Sequence, residues 1–355
     1  MSGFRPLLRE LHRVPALAAL RESDLAPLSN KGTAHGHVAI VPEISDRRLV
    51  VRITYAFAGD ATAATRLEIQ AEAFRRCAPS GVTPRLFAKV PPGEAMPGGL
   101  LIVDRIDGRV PHLPNELDLM ARSLAAIHGM PVPSRAEAAP LPYHADPVAA
   151  LLAAIESNAI FFERKEMPDE AHDALREELD FARGFAGSTT RGTPDIVLAL
   201  ADTHPGNFLV DSTGKAWFVD LEKVHYGAAA IDLAHATLET STRWDADVDL
   251  TLPRDAVLAF HRSYLDLIGE FGAQRLRPIL LPLRRMTWLR TMAFMARWSV
   301  QTDPSYAGTE TDRWSDLGLS EAMKAHSRTA IGSLFQPQTI ARIRADWLGG
   351  KMLAF

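Results

Sequence analysis

Three side chains between Ile196 and Ala234 have the types and spacing that moving a phosphoryl group requires. Asp202 is followed five residues later by Asn207, and Asp220 comes thirteen residues after that. Transfer to a hydroxyl needs a carboxylate to orient the hydroxyl and take its proton late, together with oxygen ligands for Mg²⁺. An Asp-x-x-x-x-Asn segment followed by an Asp at a strand end supplies those parts. Mg²⁺ usually takes only one or two carboxylates plus substrate phosphates, a demand that Asn207 and Asp220 meet without crowding the site with charge. Asp202 is then the candidate base. Glu222 has two readings, a further or water-mediated metal ligand, or a surface carboxylate paired with Lys223 or Lys215.

These residues need elements to hold them. The run IVLALA reads as a strand, 202–207 as a loop, and FLVD with AWFVD as a hairpin turned at Ser212-Thr213-Gly214. Pro205-Gly206 makes a tight turn that lets Asp202 and Asn207 address one volume. Upstream, HVAIV and RLVVRITY form a hairpin through the turn formers of PEISD. The segment 29–36 before it contains Gly32, whose backbone could approach phosphates. Residues 61–78 read as a helix stopped at Pro79-Ser80-Gly81, and LLIVDRIDG as a buried strand ending at Gly108. Strand, strand, helix, strand describes a small α+β lobe over 1–107. Residues 6–22 add one or two short amphipathic helices.

From 108 to 355 the pattern is mostly helical. Leu117, Met120, Leu124 and Ile127 share one face, helices are expected over 147–163 and 168–185, and 280–300 is apolar enough around its circumference to be buried. His128 reads as a packing or capping residue.

Composition narrows the function class. With 39 basic against 43 acidic residues the net charge is −4, so the chain carries no electrostatic footprint for nucleic acid. Apolar residues at 47% and charged residues at 23% are ordinary for a globular chain. No run of about 18 apolar residues supports a membrane span, and the first residues lack a signal-peptide pattern. A single cysteine, Cys77, rules out an intramolecular disulfide framework and fits a reducing, cytoplasmic setting.

The pattern ADTHPGN…FVDLE…IDLA resembles the aminoglycoside phosphotransferase and choline kinase superfamily, with support from GVTPRLF (81–87), LLIVDRIDG (100–108) and ARSLAAIHGMP (121–131). The resemblance implies a protein-kinase-like two-lobed α+β fold, with a small antiparallel-sheet lobe and a larger helical one. It implies an ATP-dependent small-molecule kinase using Mg²⁺, with Asp202 as base, Asn207 and Asp220 as metal ligands, and Asp232 bracing the loop. The backbone of Asp104 and Ile106 would meet adenine. Arg52 takes the place of the phosphate-gripping strand lysine, a change that keeps the charge and allows bidentate contact. Its helix partner falls at Gln70 by counting back from Gly81 and Pro84, but an ion pair needs a carboxylate, which favours Glu72. Leu200 stands where the family usually has histidine. That departure keeps a second reading open, a nucleotide-binding regulatory protein with weak catalysis.

The hydroxyl-bearing acceptor is open between an amino alcohol, an aminoglycoside and a sugar. The segment 243–249 is acidic and contains Trp244. FMARWSVQ (294–301) offers Trp298 for cation–π contact but has Met295 where a second aromatic would stand. Arg284, Arg285, Arg290 and Arg297 would instead suit a sugar or carboxylated acceptor.

Overall fold

Alternating apolar residues in the first hundred positions pair into one sheet. The structure is a computed structural model that describes residues 3–28, 35–54, 61–190, 192–303, 305, 321–350 and 352–355. Gly32 therefore lies outside the described residues. After helix α1 (Arg5–Leu11) come β1 (Leu25–Pro27), β2 (His35–Ile44), β3 (Arg47–Thr54), helix α2 (Ala63–Cys77), β4 (Leu86–Val90) and β5 (Leu100–Asp104). The strands run β1-β2-β3-β5-β4, each pair antiparallel.

The β2–β3 turn is tighter than PEISD implied. Only Ser45 and Asp46 form it, both at positive φ (50° and 58°), the backbone of a two-residue hairpin turn whose twist matches its strands. Pro42 stays in β2, where a register irregularity between Ile40 and Ile44 accommodates a residue with no N–H. Strands β1 and β4 are additions to the sequence expectation, being only three and five residues long.

Side chains of a strand alternate between faces. Leu49, Val51, Leu100 and Ile102 point to one face, where Leu7, Leu11, Leu17 and Leu20 of the N-terminal segment cover them. Val50, Leu101 and Val103 point to the other, against Leu67, Ala71 and Phe74 of α2. Arg52 shares the parity of Val50, so period two sends its charge to the α2 side, where its guanidinium lies over the Phe74 ring at 5.6 Å.

The large lobe is built on α3 (Leu117–His128), α4 (Pro147–Ala159), α5 (Asp169–Gly187), α6 (Ala229–Thr237), α7 (Glu239–Thr242), α8 (Arg254–Gln301), α9 (Glu321–Leu334) and α10 (Pro337–Arg344). The predicted face Leu117, Met120, Leu124 and Ile127 is buried throughout. Helix α8 is broken at Gly269 (φ 74°), and its second part buries Leu280, Leu283, Met286, Trp288, Met292 and Trp298. Helices α3, α4 and α6 pack along α8. Two small sheets lie between the lobes: β6 (Ile196–Ala199) with β9 (His225–Ala228), and β7 (Phe208–Val210) with β8 (Ala216–Phe218).

The connection between lobes is stitched rather than loose. Arg109 and Val210 exchange backbone hydrogen bonds of 3.1 and 2.7 Å, and the Phe218 N–H donates to the Val82 carbonyl at 2.9 Å. Gly108 lies so close to this crossing that a Cβ would meet the Val210 carbonyl oxygen at 2.8 Å. No helix among the described residues is long and apolar enough to cross a membrane.

Candidate active site

Strand β6 delivers the chain to a strained corner. Ala201 has φ of 63°, a left-handed conformation that costs a non-glycine residue roughly 1–2 kcal/mol. The corner is held by Asp232 in the first turn of α6. Its Oδ2 accepts the Leu200 N–H at 2.7 Å and its Oδ1 the Ala201 N–H at 2.8 Å, while the Thr203 hydroxyl donates to its backbone carbonyl at 2.6 Å. His128 completes the brace, its Nε2 lying 3.1 Å from Asp232 Oδ2 and its Nδ1 2.8 Å from the Tyr264 hydroxyl, both within hydrogen-bond reach. Burial opposes the Asp232 charge, but the His128 hydrogen bond and its neighbours prevail and hold the carboxyl below its ordinary range. Leu200 takes part through its backbone N–H, which any non-proline residue has. The family histidine is thus dispensable for this brace.

Asp202 follows directly. Its backbone carbonyl accepts the Asn207 Nδ2 at 2.8 Å, which leaves the amide oxygen of Asn207 free to turn elsewhere. Asn207 closes the short 3₁₀ turn Pro205–Asn207, and its own carbonyl accepts the Val219 N–H at 3.0 Å. That bond fixes the peptide preceding Val219, one residue before Asp220. Arg52 reaches across from the small lobe to the same place, donating Nη1 to the Val219 carbonyl and Nη2 to Asp220 Oδ1, both at 2.9 Å. Burial disfavours the Asp220 charge, yet Arg52 and then His35 outweigh it and lower the carboxyl pKa. The donor set at Asn207 and Asp220 is oxygen only, as Mg²⁺ prefers. Among the described residues, no cluster of three or more His, Cys, Asp or Glu could hold a metal instead.

Around Asp202 the electrostatics are steep. Lys223 Nζ lies 2.5 Å from Asp202 Oδ2, and His235 Nε2 lies 4.0 Å from Oδ1. Burial penalises the Asp202 carboxylate, but Lys223, His204 and His235 hold its pKa well below the ordinary value. Burial, then the neighbouring Arg290, keeps His235 neutral with a pKa of about 3. Glu222 is pushed up to about 7 by burial and by Asp220, and its Oε2 sits 3.5 Å from His35 Nδ1. Of its two sequence readings, the pairing with Lys223 is loose, at 4.0 Å.

Not every expected residue joins this group. Glu72 bonds Arg76 at 2.7 Å and Arg75 at 3.1 Å on its own helix, not Arg52. Gln70 is the buried residue on the inner face of α2, 6% exposed and beside His35, as the count from Gly81 and Pro84 had it. Arg52 takes Asp220 as its carboxylate in place of a helix glutamate. Asp104 spends its side chain on Arg47 (2.6 Å) and Arg85 (2.8 Å) at the rim of the sheet. Ile106 follows in the linker, half-buried.

The four α8 arginines expected to suit a sugar or carboxylated acceptor are instead committed to the protein. Arg284 bonds Thr237, Arg285 bonds Glu178, Arg290 donates to the Ala201 carbonyl at 3.2 Å, and Arg297 bonds Gln301. Trp298 is buried, 6.2 Å from the Trp244 ring, which also meets Phe294. Asp245, next to Trp244, crowds Gly206 beside the catalytic loop. His128, Lys223 and His235 were not foreseen as site residues, and Arg290, expected to suit an acceptor, holds the Ala201 carbonyl. His128 lies 104 residues from Asp232, and no local spacing signals such a pair.

Comparison with known proteins agrees with this fold. The model of the phosphotransferase enzyme family matches residues 43–279. No curated protein matches the sequence. Among solved structures, a choline/ethanolamine kinase family protein from Mesorhizobium loti aligns with a TM-score of 0.59 at 17% identity, covering 96% of this chain and 98% of its own. Choline kinase from Cryptosporidium parvum Iowa II gives 0.55 at 14%, covering 94% and 98%. A spectinomycin phosphotransferase solved with ADP and spectinomycin gives 0.54 at 13%, covering 90% and 91%. At these identities the structures speak for the shared fold. The chain belongs to the phosphotransferase enzyme family.

Proposed function

We propose that the protein transfers the γ-phosphoryl group of Mg-ATP to a hydroxyl of an amino alcohol, an aminoglycoside or a sugar-like acceptor. One observation carries this: Asp202 and Asp220 are tied to one rigid loop through Asn207 and Val219, and Arg52 of the small lobe closes onto the Val219 carbonyl and the Asp220 carboxylate. Phosphoryl transfer is mostly positioning and electrostatics, and this arrangement supports both. Asp202 orients the acceptor hydroxyl and receives its proton late. Asn207 and Asp220 would hold Mg²⁺, which when bound offsets phosphate charge. Arg52 grips the phosphates and the backbone of Asp104 and Ile106 meets the base, while the role expected for Gly32 rests on the sequence alone. The lobes divide at 107/108 in this reading. Cys77, buried with its thiol pKa raised by burial, accords with a reducing, cytoplasmic setting.

The aromatic group Trp244, Phe294 and Trp298 with Asp245 favours an acceptor carrying an amine. The test is release and transfer of the γ-phosphate with Mg-ATP across amino alcohols, aminoglycosides and sugars. Turnover should fall on the order of 10² to 10⁴ in Asp202→Asn. Full turnover in that variant would sink the assignment. A second reading, a nucleotide-binding regulator, is favoured by Glu72 standing away from Arg52; it predicts a Mg-ATP thermal shift with no turnover on any acceptor.

A further inference from the structure

Lys223 approaches the candidate base from the open side of the cleft. Its side chain is 51% exposed against 22% for Asp202, and its Nζ lies 2.5 Å from Oδ2 and 4.0 Å from Glu222 Oε1. The catalytic loop does not need this contact to keep its shape. Asp232 holds the Leu200 and Ala201 N–H groups, Asn207 holds the Asp202 carbonyl, and Arg290 holds the Ala201 carbonyl. We propose that Lys223 is a catalytic residue whose ammonium contacts the γ-phosphoryl group while it passes to the acceptor. The proposal rests on the phosphotransfer function above.

With Oδ2 occupied by Lys223, the acceptor hydroxyl is left Oδ1, the oxygen that faces His235. A hydroxyl within about 2.6–3.2 Å of Oδ1 puts its reacting oxygen beside the ammonium. The phosphorus lies about 3–3.5 Å beyond that oxygen in a near-attack geometry. Arg52 is placed for the other phosphates: it is buried, and its terminal nitrogens lie at Val219 and Asp220, on the metal-ligand side of the site. The phosphoryl oxygens therefore enter between Asp202 and Asp220, and Lys223 is the mobile cation that offsets the repulsion. An ammonium has three donors on a flexible stem, so it can keep one bond to Asp202 and give another to phosphate. In the step itself the acceptor oxygen forms its bond to phosphorus as the bond to the β-phosphate oxygen breaks. The electron pair leaves with ADP, the hydroxyl proton goes to Asp202 Oδ1, and Lys223 keeps its protons.

Calorimetric titration of Mg-ATP and Mg-ADP into the full chain tests this without a known acceptor. The wild type should bind Mg-ATP more tightly than Mg-ADP. Lys223→Met should narrow that preference about tenfold or more with Mg-ADP affinity and melting temperature unchanged, and Lys223→Arg should restore most of it. Where turnover is measurable, Lys223→Met should lower kcat more than it raises KM. An unchanged ATP/ADP preference in Lys223→Met overturns the proposal, as does an equal loss of both nucleotides with a lowered melting temperature. Equal wild-type affinity for the two nucleotides overturns it while leaving the phosphotransfer reading standing. A wild type that binds neither removes that reading as well.

Discussion

Arg52 and Asp220 are 168 residues apart in the chain and 2.9 Å apart in space, and the guanidinium that bonds the carboxylate also bonds the carbonyl of the preceding residue. The small lobe also reaches this segment through His35, whose Nδ1 lies 3.5 Å from Glu222 Oε2, but Arg52 makes the two shorter bonds. Arg52→Ala should raise KM for Mg-ATP about tenfold to a hundredfold, the loss of roughly 1.5–3 kcal/mol of charge-assisted hydrogen bonding. Arg52→Lys keeps the charge but not the fork, and should fall between. Steady-state kinetics beside circular dichroism separates this from misfolding, and an unchanged KM would remove Arg52 from the phosphate site.

Asp232 is buried, charged and bonded by two backbone N–H groups and His128. Breaking such a set by removing one partner typically costs about 3–5 kcal/mol. Asp232→Asn should lower stability by about 3 kcal/mol in a denaturant melt and release the strained Ala201 corner, with a matching loss of turnover. Normal stability with normal turnover would show that the corner holds itself.

Three buried histidines set an acid limit on stability. His35, His235 and His261 each sit at about 3, with burial the largest cause in every case and Arg52, Arg290 and Arg284 respectively next. The unfolded chain titrates these groups near 6.5. Between the two values the unfolded state binds more protons, so stability rises with pH. It should be full above about pH 6.5 and decline as the pH falls toward 3. Melting temperatures from pH 8 down should show it, and His261→Gln, remote from the catalytic loop, should flatten part of the slope. A slope unaltered by that variant would mean His261 is not held neutral.

At the lobe connection, Gly108→Ala forces a methyl against the Val210 carbonyl, 2.8 Å away and fixed by the Arg109 pairing. Overpacking of this kind costs roughly 1–3 kcal/mol. Gly184→Ala, on α5 with nothing within 4 Å of the new carbon, is the control and should be neutral or stabilising by about 0.5–1 kcal/mol. Equal melting curves for the two variants would show that the crossing yields.

The site was legible where its parts are neighbours in the chain. Asp202, Asn207, the hairpin and Asp220 lie within nineteen residues, and a tight turn plus strand alternation are local rules. Arg52, 168 residues from Asp220, was placed by the family resemblance, and strand alternation accounts for the face it takes. The place of Glu72 was not legible. Two residues on a helix are about 200° apart around its axis, so once Gln70 turns inward Glu72 must turn out, toward Arg75 and Arg76. Which of the two faces the sheet depends on how α2 packs on Val50, Leu101 and Val103, and that is not a local property.

From sequence alone came the two lobes, the hairpin that carries Asp220, the identity of the acid and amide side chains, and the absence of a nucleic-acid charge footprint. All of these follow from periodicity, turn chemistry and composition, which act over a few residues or over the chain as a whole. Only the tertiary structure decided that Arg52 pairs with Asp220, that His128 steadies Asp232, that Lys223 folds back onto Asp202, and that Arg284 and Arg285 of α8 bond Thr237 of α6 and Glu178 of α5. Each of these pairs a charge or a polar group with a partner far along the chain. Burial is what makes such pairing necessary, and burial exists only once the lobes have packed.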